Sequence, residues 1–129
     1  MKKLSWLMML VILSRTQAAT LTTETANKMM MKSGCMTCHS IDKTKIGPSY
    51  KDVGARYAAP DATTLAYLKG EKPMDYLLKK IRTGTKMGVN KNWIKSKEGK
   101  AYGMMTPNPV TRISDADLKD LVTYILSQK

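Results

Sequence analysis

The sequence predicts an all-α protein with one domain after an N-terminal leader. Four segments have helical character, and two of them repeat apolar residues at the i, i+3, i+4 and i+7 positions of one helix face. No segment shows the alternation of apolar and polar residues that is typical of a strand. The 129 residues include 11 Met and no Phe.

The first two predicted helices are short. One is expected from about residue 22 to residue 33, ending at Gly34, because glycine commonly terminates helices. A second, weaker helix follows Pro60 and Asp61 and ends at Gly70. The residues expected on their buried sides are Ala26, Met29, Met30 and Met31 in the first helix and Leu65 and Leu68 in the second.

The third and fourth predicted helices carry clearer signals. The third begins at Pro73, a residue suited to the first helical position, and ends at Gly84. The fourth begins after Ser114, a good N-cap, with acidic residues in its first turn and Ile113 placed for a hydrophobic staple with Leu118. The apolar stripes are Met74, Leu77, Leu78 and Ile81 in the third helix and Leu118, Leu121, Val122 and Ile125 in the fourth.

The N-terminus is typical of an export signal. Lys2 and Lys3 precede an apolar stretch at residues 4–13, and small residues near Ala18 and Ala19 form a cleavage site. The apolar stretch is too short for a membrane span, which needs about 20 residues. We therefore expect residues 1–19 to be a cleaved signal peptide, residues 20–129 to be one domain, and the location to be the periplasm.

The segment Cys35-Met36-Thr37-Cys38-His39 holds both cysteines and the only histidine of the chain. C-x-x-C-H is the attachment signature for c-type haem. Two thiols one turn apart can each add to a haem vinyl group, and the histidine that follows can offer its imidazole to the iron. The motif predicts one covalently attached haem c, bound through Cys35 and Cys38, with His39 as an iron ligand.

Three other interpretations of this segment are weaker. A disulfide between the cysteines leaves His39 without a role, although disulfides are common in exported proteins. A thioredoxin-like redox pair needs a βαβ context, and no alternation of strand and helix is present. A structural zinc site needs four ligands, and the cysteines and histidine supply only three.

The opposite axial position of the iron is expected to be filled by a methionine. The chain has no second histidine, and a Met thioether is the usual partner in electron-transfer cytochromes. Met105 is the best candidate, because it lies in the long segment before the last helix and is followed by Pro107 and Pro109. Met104 is its rival, whereas other methionines, such as Met29, are expected to fill the core.

With these motifs the chain resembles a small class I bacterial cytochrome c of the c-551/c-552 group, and the resemblance covers most of residues 20–129. It rests on the haem motif, early in the domain, and on the late Met105 segment. Its other parts are residues 41–53, with Ile46-Gly47-Pro48-Ser49-Tyr50, the stretch Ile81-Arg82-Thr83-Gly84, the run Met105-Thr106-Pro107-Asn108, and residues 114–129. The resemblance implies a compact fold of about four to five helices around one covalently bound haem.

The resemblance also implies roles for individual residues. Pro48 would offer its carbonyl to the ring N–H of His39, and Trp93 with Lys80 or Arg82 would lie near a haem propionate. The family usually has a proline on each side of the ligand methionine. Here Met104 and Thr106 flank Met105, which leaves the choice between Met104 and Met105 open.

The charge of the chain points to its partners. The formal charge is +12, and loss of Lys2, Lys3 and Arg15 with the leader reduces it to +9. A basic surface steers encounters with acidic proteins and also keeps a protein in solution. We expect redox protein partners with acidic docking surfaces, no nucleic acid, and no stable insertion into a membrane after cleavage.

The function expected from the sequence is one-electron transfer between redox proteins, without catalysis at the iron. The alternative is a dedicated cytochrome subunit of a periplasmic dehydrogenase or sulfur-oxidising enzyme complex, with the Lys-rich loop at residues 86–102 as its docking surface. A haem enzyme or gas sensor would need an open sixth position on the iron. The first two functions correspond to a monomer and to an enzyme-complex subunit.

Overall fold

The computed structural model describes residues 20–85 and 101–129, and within them the chain forms five α-helices and no strands. The α-helices are α1 (Thr23–Lys32), α2 (Tyr50–Ala58), α3 (Ala62–Leu68), α4 (Pro73–Thr83) and α5 (Asp115–Ser127). A short 3-10 turn spans Cys35–Thr37. The all-α prediction is confirmed. No helix of these residues has the length and apolar character needed to cross a membrane.

The helix ends follow from local side-chain chemistry. The side-chain oxygens of Thr22, Ser49, Asp61 and Ser114 each accept a hydrogen bond from the backbone N–H three residues later. These bonds satisfy N–H groups that have no partner within the first turn of a helix. The fourth helix, α4, begins at Pro73, which needs no such partner. The four helices predicted from the sequence are therefore confirmed, with their bounds within a few residues.

Helix α5 lies at the centre of this arrangement and packs against α1, α2 and α4. Its predicted stripe is confirmed, because Leu118, Leu121, Val122 and Ile125 are all buried. The other buried apolar residues of the same core are Ala26, Met30, Tyr50, Tyr57, Leu68, Tyr76, Leu77, Ile113 and Tyr124. One side of α5 therefore forms a continuous apolar wall.

Two predicted core residues are exposed. Leu65 is 53% exposed, and Thr64 and Leu68 instead form the buried side of α3. Met31 is 62% exposed, because Ala26 and Met30 already fill the buried face of α1. An α-helix has about 3.6 residues per turn, so neighbouring side chains point in very different directions, and a shift of one position moves a side chain from the core to the surface.

The sequence analysis missed α2. This helix has Gly54 at its centre, and glycine is a poor residue for a helix interior. Packing explains why glycine stands at this position. A Cβ atom on Gly54 would lie 1.9 Å from the carbonyl oxygen of Gln128 and 2.6 Å from that of Ile125. Gly54 therefore allows the backbones of α2 and the end of α5 to approach closely.

Gly54→Ala tests this close approach. In an ordinary helix the change would stabilise the fold by about 0.5–1 kcal/mol, but here α5 must move away. We expect the free energy of unfolding of the haem-bearing protein, measured with denaturant, to fall by roughly 1–3 kcal/mol. Lys51→Ala, on the exposed part of the same helix, should change it by less than about 0.5 kcal/mol. A Gly54→Ala protein as stable as the natural one would contradict the explanation.

Candidate haem site

The C-x-x-C-H segment forms a single compact turn. Gly34 ends the first helix, and the backbone N–H groups of Cys38 and His39 both donate to the carbonyl of Cys35, at 3.3 and 3.0 Å. Both cysteines carry free, half-buried thiols. Burial raises the pKa of the Cys35 thiol and so favours its protonated form. The turn therefore presents two thiols and one imidazole within five residues.

The His39 ring is held in one orientation by its neighbours. Its Nδ1 atom lies 2.7 Å from the carbonyl oxygen of Pro48. Because a carbonyl can only accept a hydrogen bond, Nδ1 carries the proton and Nε2 keeps its lone pair. Burial also lowers the pKa of His39 and favours the neutral ring. This is the form of imidazole that binds a metal through Nε2.

Two further contacts fix the position of this ring. The ring of Tyr50 stacks on His39 with 5.2 Å between centroids and 21° between planes. A Cβ atom on Gly47 would lie 2.5 Å from Cε1 of His39, so only glycine leaves room for the imidazole at this position. Residues 47–50 therefore hold the ring by a hydrogen bond that the Pro48 carbonyl accepts, a stacking contact and a close backbone approach.

A cleft lies beside this turn. The empty space in it, including the part that is open to solvent, is about 860 Å³. Cys35, Cys38 and His39 line one part of it, and Met105 also lines it. Its other walls are largely apolar, formed by Leu77 and Ile81 of α4 and by Leu118, Leu121, Val122 and Ile125 of α5. This largely apolar lining matches a pocket for a large apolar ligand.

The two candidate methionines lie in different surroundings. Met105 is half-buried and lines the cleft, whereas Met104 is 49% exposed and is not part of the cleft lining. Met104 lines a smaller hollow together with Cys38, His39 and residues 46–48, and Met105 borders this hollow too. Of the two methionines, Met105 is the one that lines the cleft shared by Cys35, Cys38 and His39.

The cations named in the sequence analysis lie outside the cleft lining. Lys80 places its Nζ atom 5.6 Å from the ring centroid of Tyr76. Arg82 donates hydrogen bonds to the carbonyl oxygens of Asn108 and Ile113 and forms an ion pair with Asp115 at 2.6 Å. Trp93 lies outside the described residues. Proximity of Lys80 or Trp93 to a haem propionate stays a prediction.

The sequence indicated Arg82 as an alternative to Lys80 near a haem propionate, and it indicated no role for Asn108. Asn108 is buried, lines the cleft and donates from Nδ2 to the carbonyl of Ser33 at 3.4 Å, while Arg82 binds its backbone carbonyl. These contacts connect the Met105 segment with the ends of α1 and α4. The sequence run Met105-Thr106-Pro107-Asn108 places an asparagine near the candidate ligand, but it does not indicate which residue the asparagine binds.

The residues present fit a covalently bound haem better than a zinc ion. An apolar cleft with two thiols, an imidazole nitrogen and a thioether at its border offers attachment points and axial ligands for haem iron. In the part of the chain that the structure describes, no group of three or more His, Cys, Asp or Glu side chains could hold a metal ion. The absence of strands there also removes the βαβ context of a thioredoxin-like pair.

Comparisons with known proteins agree with this chemistry. The family model for cytochrome c matches residues 23–129. Cytochrome c-551 of Allochromatium vinosum is 35% identical over 98 residues, which cover 76% of this chain and 80% of that protein. Cytochrome c-552 of Hydrogenobacter thermophilus is 33% identical over 106 residues, covering 81% of this chain and 83% of that protein.

The fold is also similar to a solved structure. The crystal structure of wild-type Nitrosomonas europaea cytochrome c552 matches with a TM-score of 0.51 and 29% sequence identity, covering 80% of this chain and 99% of that one. The family match, the relatives and the C-x-x-C-H turn at the border of an apolar cleft lead to one conclusion. The chain belongs to the cytochrome c family, as a class I c-type cytochrome similar to the c-551 and c-552 proteins, and is a monohaem electron carrier whose cofactor is one covalently attached haem c.

Proposed function

We propose that this protein is a periplasmic carrier that takes up and releases one electron at a time between redox proteins, with His39 and Met105 as the axial ligands of its haem. The observation that carries the proposal is the cleft bordered by Cys35, Cys38, His39 and Met105. When bound, haem c supplies a one-electron Fe(III)/Fe(II) couple.

Each of these residues has a distinct task in the proposal. The Cys35 and Cys38 thiols hold the haem as thioethers, and the cleft walls from α4 and α5 exclude water from its faces. His39 presents the lone pair of Nε2, because its Nδ1–H is already bound to Pro48. Met105 supplies a thioether, a soft ligand that favours the reduced iron. With His39 and Met105 both bound to it, the iron would have no open position for a substrate.

The location proposed for the protein is the periplasm, after removal of residues 1–19. The support is the leader pattern in the sequence, with two lysines before an apolar stretch and small residues after it. These residues lie outside the described part of the chain. Cell fractionation followed by N-terminal sequencing of the haem-bearing protein tests this proposal, and a protein that stays in the cytoplasmic fraction or still begins at Met1 would contradict it.

The proposed partners are redox proteins with acidic docking surfaces. The support is the formal charge of +9 without the leader, together with exposed lysines such as Lys43. Ile46 and Met104, 53% and 49% exposed, border the hollow beside His39 and offer an apolar centre for contact. The alternative of an enzyme-complex subunit depended on the loop at residues 86–102, most of which lies outside the described residues, and no observation favours it.

Paired substitutions test the axial ligand. Met105→Ala should abolish the weak long-wavelength absorption band that the resemblance leads us to expect for ferric haem with His/Met ligation. It should also let the reduced protein bind carbon monoxide at neutral pH, since a coordination position opens. Met104→Ala is the matched control, and both properties should stay as in the natural protein. Loss of the band in Met104→Ala but not in Met105→Ala would contradict the ligand assignment.

The charge proposal predicts opposite salt effects for two small redox reagents. Oxidation of the reduced protein by the anion hexacyanoferrate(III) should slow several-fold as ionic strength rises from about 0.01 M to about 0.15 M, because the Debye length falls from about 30 to about 8 Å. A cationic cobalt(III) complex is the control, and its rate should rise over the same range. Stopped-flow rates that stay flat for both reagents would contradict steering by the basic surface.

A further inference from the structure

Thr85, two residues after the end of α4, binds the backbone of Met105 at both of its polar groups. The N–H of Thr85 donates to the carbonyl oxygen of Met105 at 2.8 Å. The N–H of Met105 in turn donates to Oγ1 of Thr85, also at 2.8 Å. Thr85 is buried, with 9% of its surface exposed. The position of Met105 is therefore set by a reciprocal pair of hydrogen bonds to a single residue.

The end of α4 also binds the chain three residues further on. The N–H of Asn108 donates to the carbonyl oxygen of Ile81 at 3.0 Å, and Arg82 donates from Nη1 to the carbonyl oxygen of Asn108 at 3.0 Å. The segment from Met105 to Asn108 is thus attached at one end to Thr85 and at the other end to α4. Because α4 packs on α5, these hydrogen bonds connect the Met105 segment to the central helix of the fold.

Gly84 makes this approach possible. It adopts φ +65° and ψ −163°, a backbone conformation that side-chain-bearing residues rarely adopt. A Cβ atom on Gly84 would lie 2.5 Å from the carbonyl oxygen of Met105 and 2.8 Å from the backbone nitrogen of Pro107. The end of α4 therefore lies directly against the backbone of the Met105 segment, and Thr85 comes within hydrogen-bond distance.

We propose that Thr85 is a positioning residue for the axial methionine, a role that rests on the ligand assignment proposed above. A thioether is a weak ligand, so its occupancy of the iron depends on how little freedom the protein leaves its backbone. The Thr85 hydroxyl is the side-chain group that accepts the N–H of Met105. Without this hydroxyl, the part-buried N–H loses its partner and the segment gains freedom to move the sulfur away from the iron.

Competition with imidazole measures this effect directly. Imidazole added to the oxidised haem-bearing protein must displace the methionine, so its apparent Kd reports how firmly the thioether is held. Thr85→Val keeps the size of the side chain and removes the hydroxyl. We expect its apparent Kd for imidazole to fall about tenfold, the size of effect that follows when a part-buried N–H loses its hydrogen-bond partner.

Two variants provide the controls. Thr85→Ser keeps the hydroxyl and should restore the apparent Kd to within about twofold of the natural protein. Thr83→Val removes a hydroxyl that donates to the carbonyl of Lys79 within α4, and it too should leave the Kd within about twofold. Should Thr85→Val fail to yield folded protein, Thr85→Ala takes its place with the same expected fall.

The outcomes separate this inference from the ligand assignment. An unchanged Kd in Thr85→Val, or an equal fall in Thr85→Ser or Thr83→Val, would overturn the role of Thr85. Met105→Ala serves as the reference, because removal of the ligand itself should give the tightest imidazole binding. If Met105→Ala binds imidazole no more tightly than the natural protein, the ligand assignment is wrong as well.

Discussion

Met105 reaches the cleft from a segment that the proposed haem linkages do not anchor, and hydrogen bonds to the end of α4 determine where this segment lies. Thr85 binds both backbone groups of Met105, and Arg82 and Ile81 bind the backbone of Asn108. On the opposite side, the C-x-x-C-H turn places its three groups within five residues. The two sides of the site therefore differ in origin: one is built by local sequence, the other by contacts between distant parts of the chain.

The neutral tautomer of His39 and the apolar walls of the cleft both favour the binding of haem. The Pro48 carbonyl accepts the hydrogen bond from Nδ1–H, burial favours the uncharged ring, and Gly47 leaves the space in which the ring lies. One wall of the same cleft is the buried side of α5, which also forms the core against α1, α2 and α4. Because one helix face is both core and cleft wall, haem binding and folding are expected to stabilise each other.

The parts that could be predicted from the sequence are those fixed by local pattern. The stripe of α5, its Ser114 cap and the C-x-x-C-H motif all depend on neighbours within one or two turns. Helix α2 was missed because Gly54 weakens its helical signal, while its reason for being there is the distant Gln128 carbonyl. The pairing of Thr85 with Met105 joins residues 20 positions apart, and no periodicity in the sequence indicates it.

We propose that Met105 binds the haem iron on the side opposite His39, and NMR of the reduced protein tests this assignment. With ¹³C-methyl-labelled methionine, a methyl group held over a haem face moves far upfield of the others, because the ring current of the macrocycle shields it. We expect a single such signal, absent in Met105→Ala and retained in Met104→Ala. A spectrum without this signal, or one that keeps it after Met105→Ala, would show that Met105 is not the ligand.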